Sequence, residues 1–90
     1  MSVTVHFSPS LSGLMGQRTT VEVNGTDVRE CLMCLVDSFP GLRSRLFDAD
    51  GELKSYIEIF VNQRSCYPHE LAGPVEDGDR IQIVEAIAGG

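Results

Sequence analysis

Residues 24–41, NGTDVRECLMCLVDSFPG, carry the strongest structural signal in the chain. Thr26 is the predicted N-cap of a helix, and Asp27 and Glu30 lie in the first turn, where acidic side chains favour the positive helix end. Apolar side chains recur at helical spacing after it, at Val28, Leu32, Leu35, Val36 and Phe39. Pro40-Gly41 ends the helix. Because an amphipathic helix must cover an apolar surface, the stretch predicts a sheet beneath it.

Four segments around this helix alternate between apolar and polar residues, as half-buried β-strands do. They are VTVHF (3–7), TTVEV (19–23), YIEIFVN (56–62) and the strand within EDGDRIQIVEA (76–86) that follows a turn at Asp77-Gly78. Their predicted inward-facing residues are Val3, Val5, Phe7, Val21, Val23, Ile57, Ile59, Val61, Ile81 and Ile83. The turn pair Asn24-Gly25 ends the second strand. Residues 63–71 predict a turn and a short edge segment, since Pro68 cannot donate to a central ladder.

Residues 8–18, SPSLSGLMGQR, predict a long hairpin loop with Leu11, Leu14 and Met15 tucked against the end of the core. The order of elements predicts an α+β fold in which one helix covers one face of a mixed sheet. The first and last strands then lie side by side. Residues 1–85 form the predicted domain, and 86–90 form a flexible tail.

Length, charge and composition limit the classes of function that the chain is expected to have. Ninety residues make one domain, and the net charge of −6, from 13 acidic and 7 basic residues, argues against nucleic acid. An acidic surface suits a basic protein partner, or simply keeps the protein soluble. Residues 1–10 show no secretion signal and no apolar run is long enough to cross a membrane, so the cytoplasm is expected.

The nucleophilic and metal-binding residue types give weak signals. Three cysteines, an odd number, do not predict a disulfide framework, and one C-x-x-C pair inside a helix is weak support for zinc or for thioredoxin-like chemistry. We expect Cys31 to fill the core and Cys34 to be partly exposed. No residue is convincingly placed to make a catalytic dyad with His6 or His69, and no phosphate-binding loop is present.

Three stretches together resemble one family. VTVHF (3–7), GTDVRECLMCLVDSFPGL (25–42) and VEDGDRIQIVEAIAGG (75–90) are similar to the ubiquitin-like sulfur carriers, β-grasp proteins that include the small subunit of molybdopterin synthase and the carriers for thiamin and cysteine synthesis. Chain length and residues 46–63 look closest to the cysteine-synthesis type. Glu85 departs from the pattern, because many members have Pro ahead of the final Ala-Gly-Gly.

The resemblance implies a carrier rather than an enzyme. A separate E1-like enzyme would use ATP to adenylate the carboxylate of Gly90, and sulfur would replace the adenylate to give a thiocarboxylate (1-thioglycine). A sulfur-acceptor synthase would then receive the sulfur. No bound cofactor or metal is expected, nor a membrane or nucleic-acid partner, and the free chain is expected to be a monomer. Two glycines, Gly89 and Gly90, allow close backbone approach inside a narrow channel.

The β-grasp arrangement also predicts a docking face. His6, Phe60 and Val84 point away from the helix and are expected to form a row, unless residues 42–47 or the first loop cover them. Together with Ala86, Ile87 and Ala88 they are the predicted partner-binding residues. Arg80 is expected to be a surface charge. Two alternative functions stay open: a modifier joined to lysines through Gly90, and a non-covalent interaction module.

Overall fold

The computed structural model describes residues 2–85 of the chain. Eight helices and strands follow one another: β1 (Ser2–Phe7), α1 (Pro9–Ser12), β2 (Thr20–Asn24), α2 (Val28–Ser38), α3 (Arg43–Leu46), β3 (Ile57–Val61), β4 (Arg64–Ser65) and β5 (Arg80–Glu85). Short 3-10 turns occupy Gly13–Met15, Pro40–Leu42 and Glu70–Ala72. Within the described residues, no helix is long and apolar enough to span a membrane.

The five strands form one mixed sheet in the order β2-β1-β5-β3-β4. The first and last strands, β1 and β5, pair in parallel, with Val5 opposite Ile81. The other pairs are antiparallel, and β3 lies on the far side of β5. This confirms the predicted α+β, β-grasp arrangement, and β4 is the short edge segment expected around residues 63–71. As the central strand, β5 leads out of the middle of the sheet.

The core lies between α2 and one face of the sheet. The buried side chains of the helix are those of Val28, Cys31, Leu32, Leu35 and Val36. Those of the sheet are Val3, Val5, Phe7, Val23, Ile57, Ile59, Ile81 and Ile83. The alternation predicted from the sequence is therefore confirmed, since successive side chains of a strand point to opposite faces and these apolar side chains lie on the face that α2 covers. Phe39 and Val61 are half-buried at the margin of this core.

The N-terminus of α2 differs from the prediction by one residue. Asp27, and not Thr26, is the N-cap: its backbone is extended and its carboxylate accepts a hydrogen bond of 2.8 Å from the Glu30 amide. Thr26 instead donates its amide and its hydroxyl to the Glu30 carboxylate, at 2.8 and 2.7 Å. These two hydrogen bonds lower the pKa of Glu30. Both residue types cap well, so sequence alone could not choose between neighbours.

The first connection is more ordered than the predicted loop. It contains α1 and a 3-10 turn, and Leu11 is fully buried, as expected. The expectation for Leu14 was wrong, since its side chain is 41% exposed. Leu11 belongs to α1 and Leu14 to the 3-10 turn that follows it, and the composition of a predicted loop does not indicate which of its side chains face the core. The Met15 side chain lies outside the described part of the structure.

Gly25 is held at a point of close approach, which leads to a first prediction. A Cβ at this position would lie 2.8 Å from both the amide nitrogen and Sγ of Cys31. We expect Gly25→Ala to lower the free energy of unfolding by about 1–3 kcal/mol, because backbone must shift to make room. Gly13→Ala is the matched control, since its Cβ would meet no atom within 4 Å. Urea denaturation measures both, and equal stability of the two variants would contradict the prediction.

Candidate functional site

The candidate site lies where β5 leaves the sheet. Residues 86–90 contain the predicted reactive terminus, Gly89 and Gly90, and three predicted partner-binding residues, Ala86, Ile87 and Ala88. These five residues, and the expectation that they form a flexible tail, lie outside the described part of the structure. The structure does define the last residue before them, Glu85, and the sheet face beside it.

The open face carries the three predicted docking residues, but they do not form a single row. His6 pairs with Gln82, and Gln82 pairs with Phe60, so Gln82 stands between the two. Val84 lies two residues further along β5, opposite Glu58. The parallel register of β1 and β5 decides this, and sequence alternation cannot reveal a shift of two residues because it leaves each side chain on the same face.

His6, Phe60 and Val84 are each half-buried. Residues 42–47 and the first connection do not cover this face and instead contribute to the core. Leu42, Leu46 and Phe47 are buried there, as is Leu11 of the first connection. Phe60 and Val84 thus lie on the sheet face opposite the helix, close to the end of β5 from which residues 86–90 follow. Arg80, at the start of β5, is exposed, as predicted.

The turn Asp77-Gly78-Asp79 joins the starts of β1 and β5. The Asp77 carboxylate accepts a hydrogen bond from the Ser2 amide at 2.8 Å, and the Gly78 amide donates to the Ser2 carbonyl at 2.8 Å. Gly78 has a φ of 88°, a conformation that favours glycine. The Thr4 amide donates to the Asp79 carbonyl at 3.1 Å. The motif therefore sets the parallel register on which the site depends.

Asn62 completes this turn, and the sequence did not predict its role. Its side-chain amide donates to the Asp79 carboxylate at 2.9 Å, and its carbonyl oxygen accepts from the Arg80 amide at 3.0 Å. The same carboxylate also accepts from the Glu76 amide at 2.8 Å. Asn62 has a φ of 49°, which asparagine tolerates better than most residues. The sequence feature that could have indicated this role was an asparagine at the end of a predicted strand.

The pKa of Asp79 yields a second prediction. The hydrogen bond from Asn62, and then that from the Glu76 amide, favour the ionised carboxylate and hold its pKa below the ordinary value of 3.8. In acid the unfolded chain takes up this proton first. The stabilisation from Asp79 is therefore complete above about pH 5 and is lost as the pH falls through the lowered pKa.

We expect the stability difference between the wild type and Asp79→Asn to shrink as the pH falls from 6 to about 2.5. Chemical denaturation at a series of pH values measures this difference. Glu30, whose pKa is also lowered, contributes equally to both proteins and cancels in the subtraction. A difference that stays constant over this range would show that the carboxylate charge of Asp79 does not contribute.

Glu85, the residue that departs from the resembled family, forms an ion pair at the end of β5. Nη2 of Arg45 lies 3.0 and 3.1 Å from the two carboxylate oxygens. The Glu85 side chain is only 8% exposed, whereas that of Arg45 is 39% exposed. Arg45 lies on α3, forty residues away, and no sequence pattern links the two positions.

The cysteines match their predicted structural roles. Cys31 is fully buried, and loss of hydration raises the pKa of its thiol to about 11. Cys34 is half-buried, and all three cysteines are free thiols. Burial also raises the pKa of Cys66. At neutral pH the thiols of Cys31 and Cys66 are therefore protonated and poorly nucleophilic. In residues 2–85, no group of three or more His, Cys, Asp or Glu residues could hold a metal ion.

Comparison with known proteins supports one family. The ThiS family model matches residues 10–90. The chain is 30% identical over 93 positions to the sulfur carrier protein CysO of Mycobacterium tuberculosis, with complete coverage of both chains. It is 33% identical over 82 positions to small archaeal modifier protein 1 of Haloferax volcanii, which covers 89% of this chain and 91% of that protein.

The fold is likewise shared with solved structures. The crystal structure of the BexX/CysO complex from Amycolatopsis orientalis contains a chain that superposes with a TM-score of 0.87. That chain is 30% identical in sequence, and the alignment covers 98% of this chain and 99% of the other. Coverage near unity on both sides means that the whole domain is shared, and not only a sheet and helix motif.

Proposed function

This chain belongs to the ThiS family of ubiquitin-like sulfur carriers, and from that premise we propose that Gly90 carries sulfur as a C-terminal thiocarboxylate in a biosynthetic pathway. Family membership confirms the prediction of a carrier protein rather than an enzyme. It also confirms the predicted likeness to carriers of the cysteine-synthesis (CysO) type. The sulfur chemistry, its site and its partners are the proposal.

The proposed chemistry follows from the weak electrophilicity of a carboxylate. A C-terminal carboxyl group has a pKa of about 3.5 and is ionised at neutral pH. In the proposal its oxygen attacks the α-phosphorus of ATP on an E1-like enzyme, forming the acyl-adenylate and releasing pyrophosphate. Hydrogen sulfide ion, supplied by the sulfide source, then attacks the acyl carbon, expels AMP and loses its proton to leave the thiocarboxylate. The thiocarboxylate sulfur finally serves as nucleophile in a sulfur-acceptor synthase.

The position of β5 carries this proposal. It is the central strand, held by β1 and β3, and residues 86–90 follow directly from its end. Five extended residues span roughly 17 Å, enough to reach a buried active site while the domain docks outside. Phe60 and Val84 lie on the open face near the same end. The domain would thus supply binding energy, and the terminus the reacting group.

Intact-mass measurement tests the proposal. The purified chain is incubated with ATP, a sulfide source and candidate E1-like enzymes. We expect a mass gain equal to the exchange of one oxygen for sulfur, located at Gly90 by fragmentation and absent without ATP. Persistent absence of this gain with enzymes that charge the related carriers would count against the proposed function.

A second function shares the same first step. The similarity to small archaeal modifier protein 1 supports conjugation of Gly90 to lysine side chains of other proteins. Here a lysine amine, and not sulfur, would displace AMP and form an isopeptide bond. Conjugates of higher mass that react with an antibody to this chain, and disappear when Gly90 is deleted, would identify the modifier function. If no such conjugates form while the thiocarboxylate is detected, the carrier function is supported and the modifier function is not.

The open face provides a third prediction. We propose that Phe60 and Val84, with His6 at its margin and residues Ala86, Ile87 and Ala88 of the tail, contact the activating enzyme. Truncating Phe60 or Val84 to alanine is expected to raise KM for adenylation by about 5–30-fold, equivalent to 1–2 kcal/mol, with little change in kcat. Glu22→Ala, exposed on the outer strand β2 of the same face and opposite Thr4 rather than His6, is the control. An unchanged KM in both truncations would place the interface elsewhere.

A further inference from the structure

The Arg45–Glu85 ion pair occupies the last described position before the proposed reactive tail. Glu85 ends β5 and pairs across the sheet with Ile57. Its carboxylate points to the helix side, whereas the preceding residue, Val84, lies on the open face. Two neighbouring residues at the root of the tail therefore have different surroundings: one is available to a partner, and the other is held by the domain itself.

The ion pair holds the Glu85 side chain in a defined direction. Withdrawing a carboxylate from water is costly unless cationic donors compensate for the lost hydration. Nη2 of Arg45 contacts both carboxylate oxygens at 3.0 and 3.1 Å, and the Glu85 side chain is only 8% exposed to solvent. A charge-assisted contact of this kind restricts the direction of the side chain more than an apolar contact would.

The ion pair also joins two parts of the fold that are distant in sequence. Arg45 belongs to α3, whose neighbouring residues Leu46 and Phe47 are anchored in the core. The pair thus connects the end of the central strand to a fixed part of the domain. The strand pair of Ile57 with Glu85 lies at the same place, so the ion pair adds a side-chain contact at this end of β5.

We propose that Arg45 and Glu85 are positioning residues that set the direction in which residues 86–90 leave the sheet, and thereby deliver the Gly90 carboxylate to the activating enzyme. This inference rests on the proposed function. The docking face governs how often the carrier binds, and the ion pair governs how often a bound carrier places its terminus correctly. The two therefore affect different kinetic constants.

The test compares adenylation kinetics of single-residue variants, using the E1-like enzyme that charges the wild-type chain. We expect Arg45→Met and Glu85→Gln each to lower kcat about tenfold and to leave KM within twofold, because misplacing a reacting group lowers the rate of the bound complex. Arg45→Lys should retain most of the activity, since one nitrogen makes both observed contacts. Arg43→Met, an exposed arginine on the same short helix, is the matched control.

Rates are expressed per folded molecule, with the folded fraction measured by circular dichroism. A purely structural ion pair would lower the folded fraction and leave kcat of the folded protein unchanged, and that result would overturn the inference. So would equal losses in Arg45→Lys and Arg45→Met, or a loss in Arg43→Met as large as that in Arg45→Met. If the wild-type chain itself is charged by no E1-like enzyme, the proposed function fails, and with it the inference.

Discussion

Deletion of Gly90 is expected to abolish thiocarboxylation while leaving the unfolding midpoint unchanged. The shortened chain still ends in a carboxylate, that of Gly89, so the chemistry of the group is the same. Its reach is shorter by one residue, about 3.5 Å, which exceeds the displacement that a reacting atom tolerates in an active site. We expect charging to fall by at least a hundredfold, as measured by intact mass after a fixed incubation with ATP and sulfide.

The matched control for this deletion is Glu22→Gln, an exposed substitution on β2 at the sheet edge away from β5. It should be charged at the wild-type rate. If the chain lacking Gly90 were charged equally fast, the assignment of the reacting carboxylate to Gly90 would be wrong. If the deletion left the biological function of the chain intact, both the carrier and the modifier functions would be wrong. The remaining hypothesis, a non-covalent interaction module, is the one that predicts indifference to the deletion.

Leu32→Ala is expected to be the most destabilising of the substitutions considered. Leu32 is fully buried in α2, and truncation there removes apolar contacts and leaves a cavity. Substitutions of this kind cost about 2–5 kcal/mol, which in a domain of this size lowers the melting temperature by roughly 10–30 °C. Thermal and urea denaturation would measure both quantities.

Leu14→Ala provides the same chemical change at a side chain that is 41% exposed. It should cost less than about 1 kcal/mol, because partial exposure lets water replace the lost contacts. The comparison separates the effect of burial from the loss of side-chain size that accompanies any substitution of leucine by alanine. Similar losses at both positions would contradict the assignment of Leu32 to the core.

Some features of the candidate site could be predicted from the sequence, and others could not. Phe60 and Val84 could be assigned to the open face because strand alternation is a local property of the chain. Their alignment with His6 could not, because it depends on the register between β1 and β5. That register is set by hydrogen bonds of Asp77, Gly78 and Asp79 to the N-terminal strand, some 75 residues away.

Residues 24–41 and the four alternating segments by themselves determined one long helix on a mixed sheet, because helical and strand periodicity are local patterns. Family resemblance pointed to Gly90 for the same reason, since a motif is read from adjacent residues. Only the tertiary structure brought Asn62 to Asp79 and Arg45 to Glu85. Polar side chains can pair in many ways, and the apolar core decides the pairing when it places their backbones within hydrogen-bonding distance.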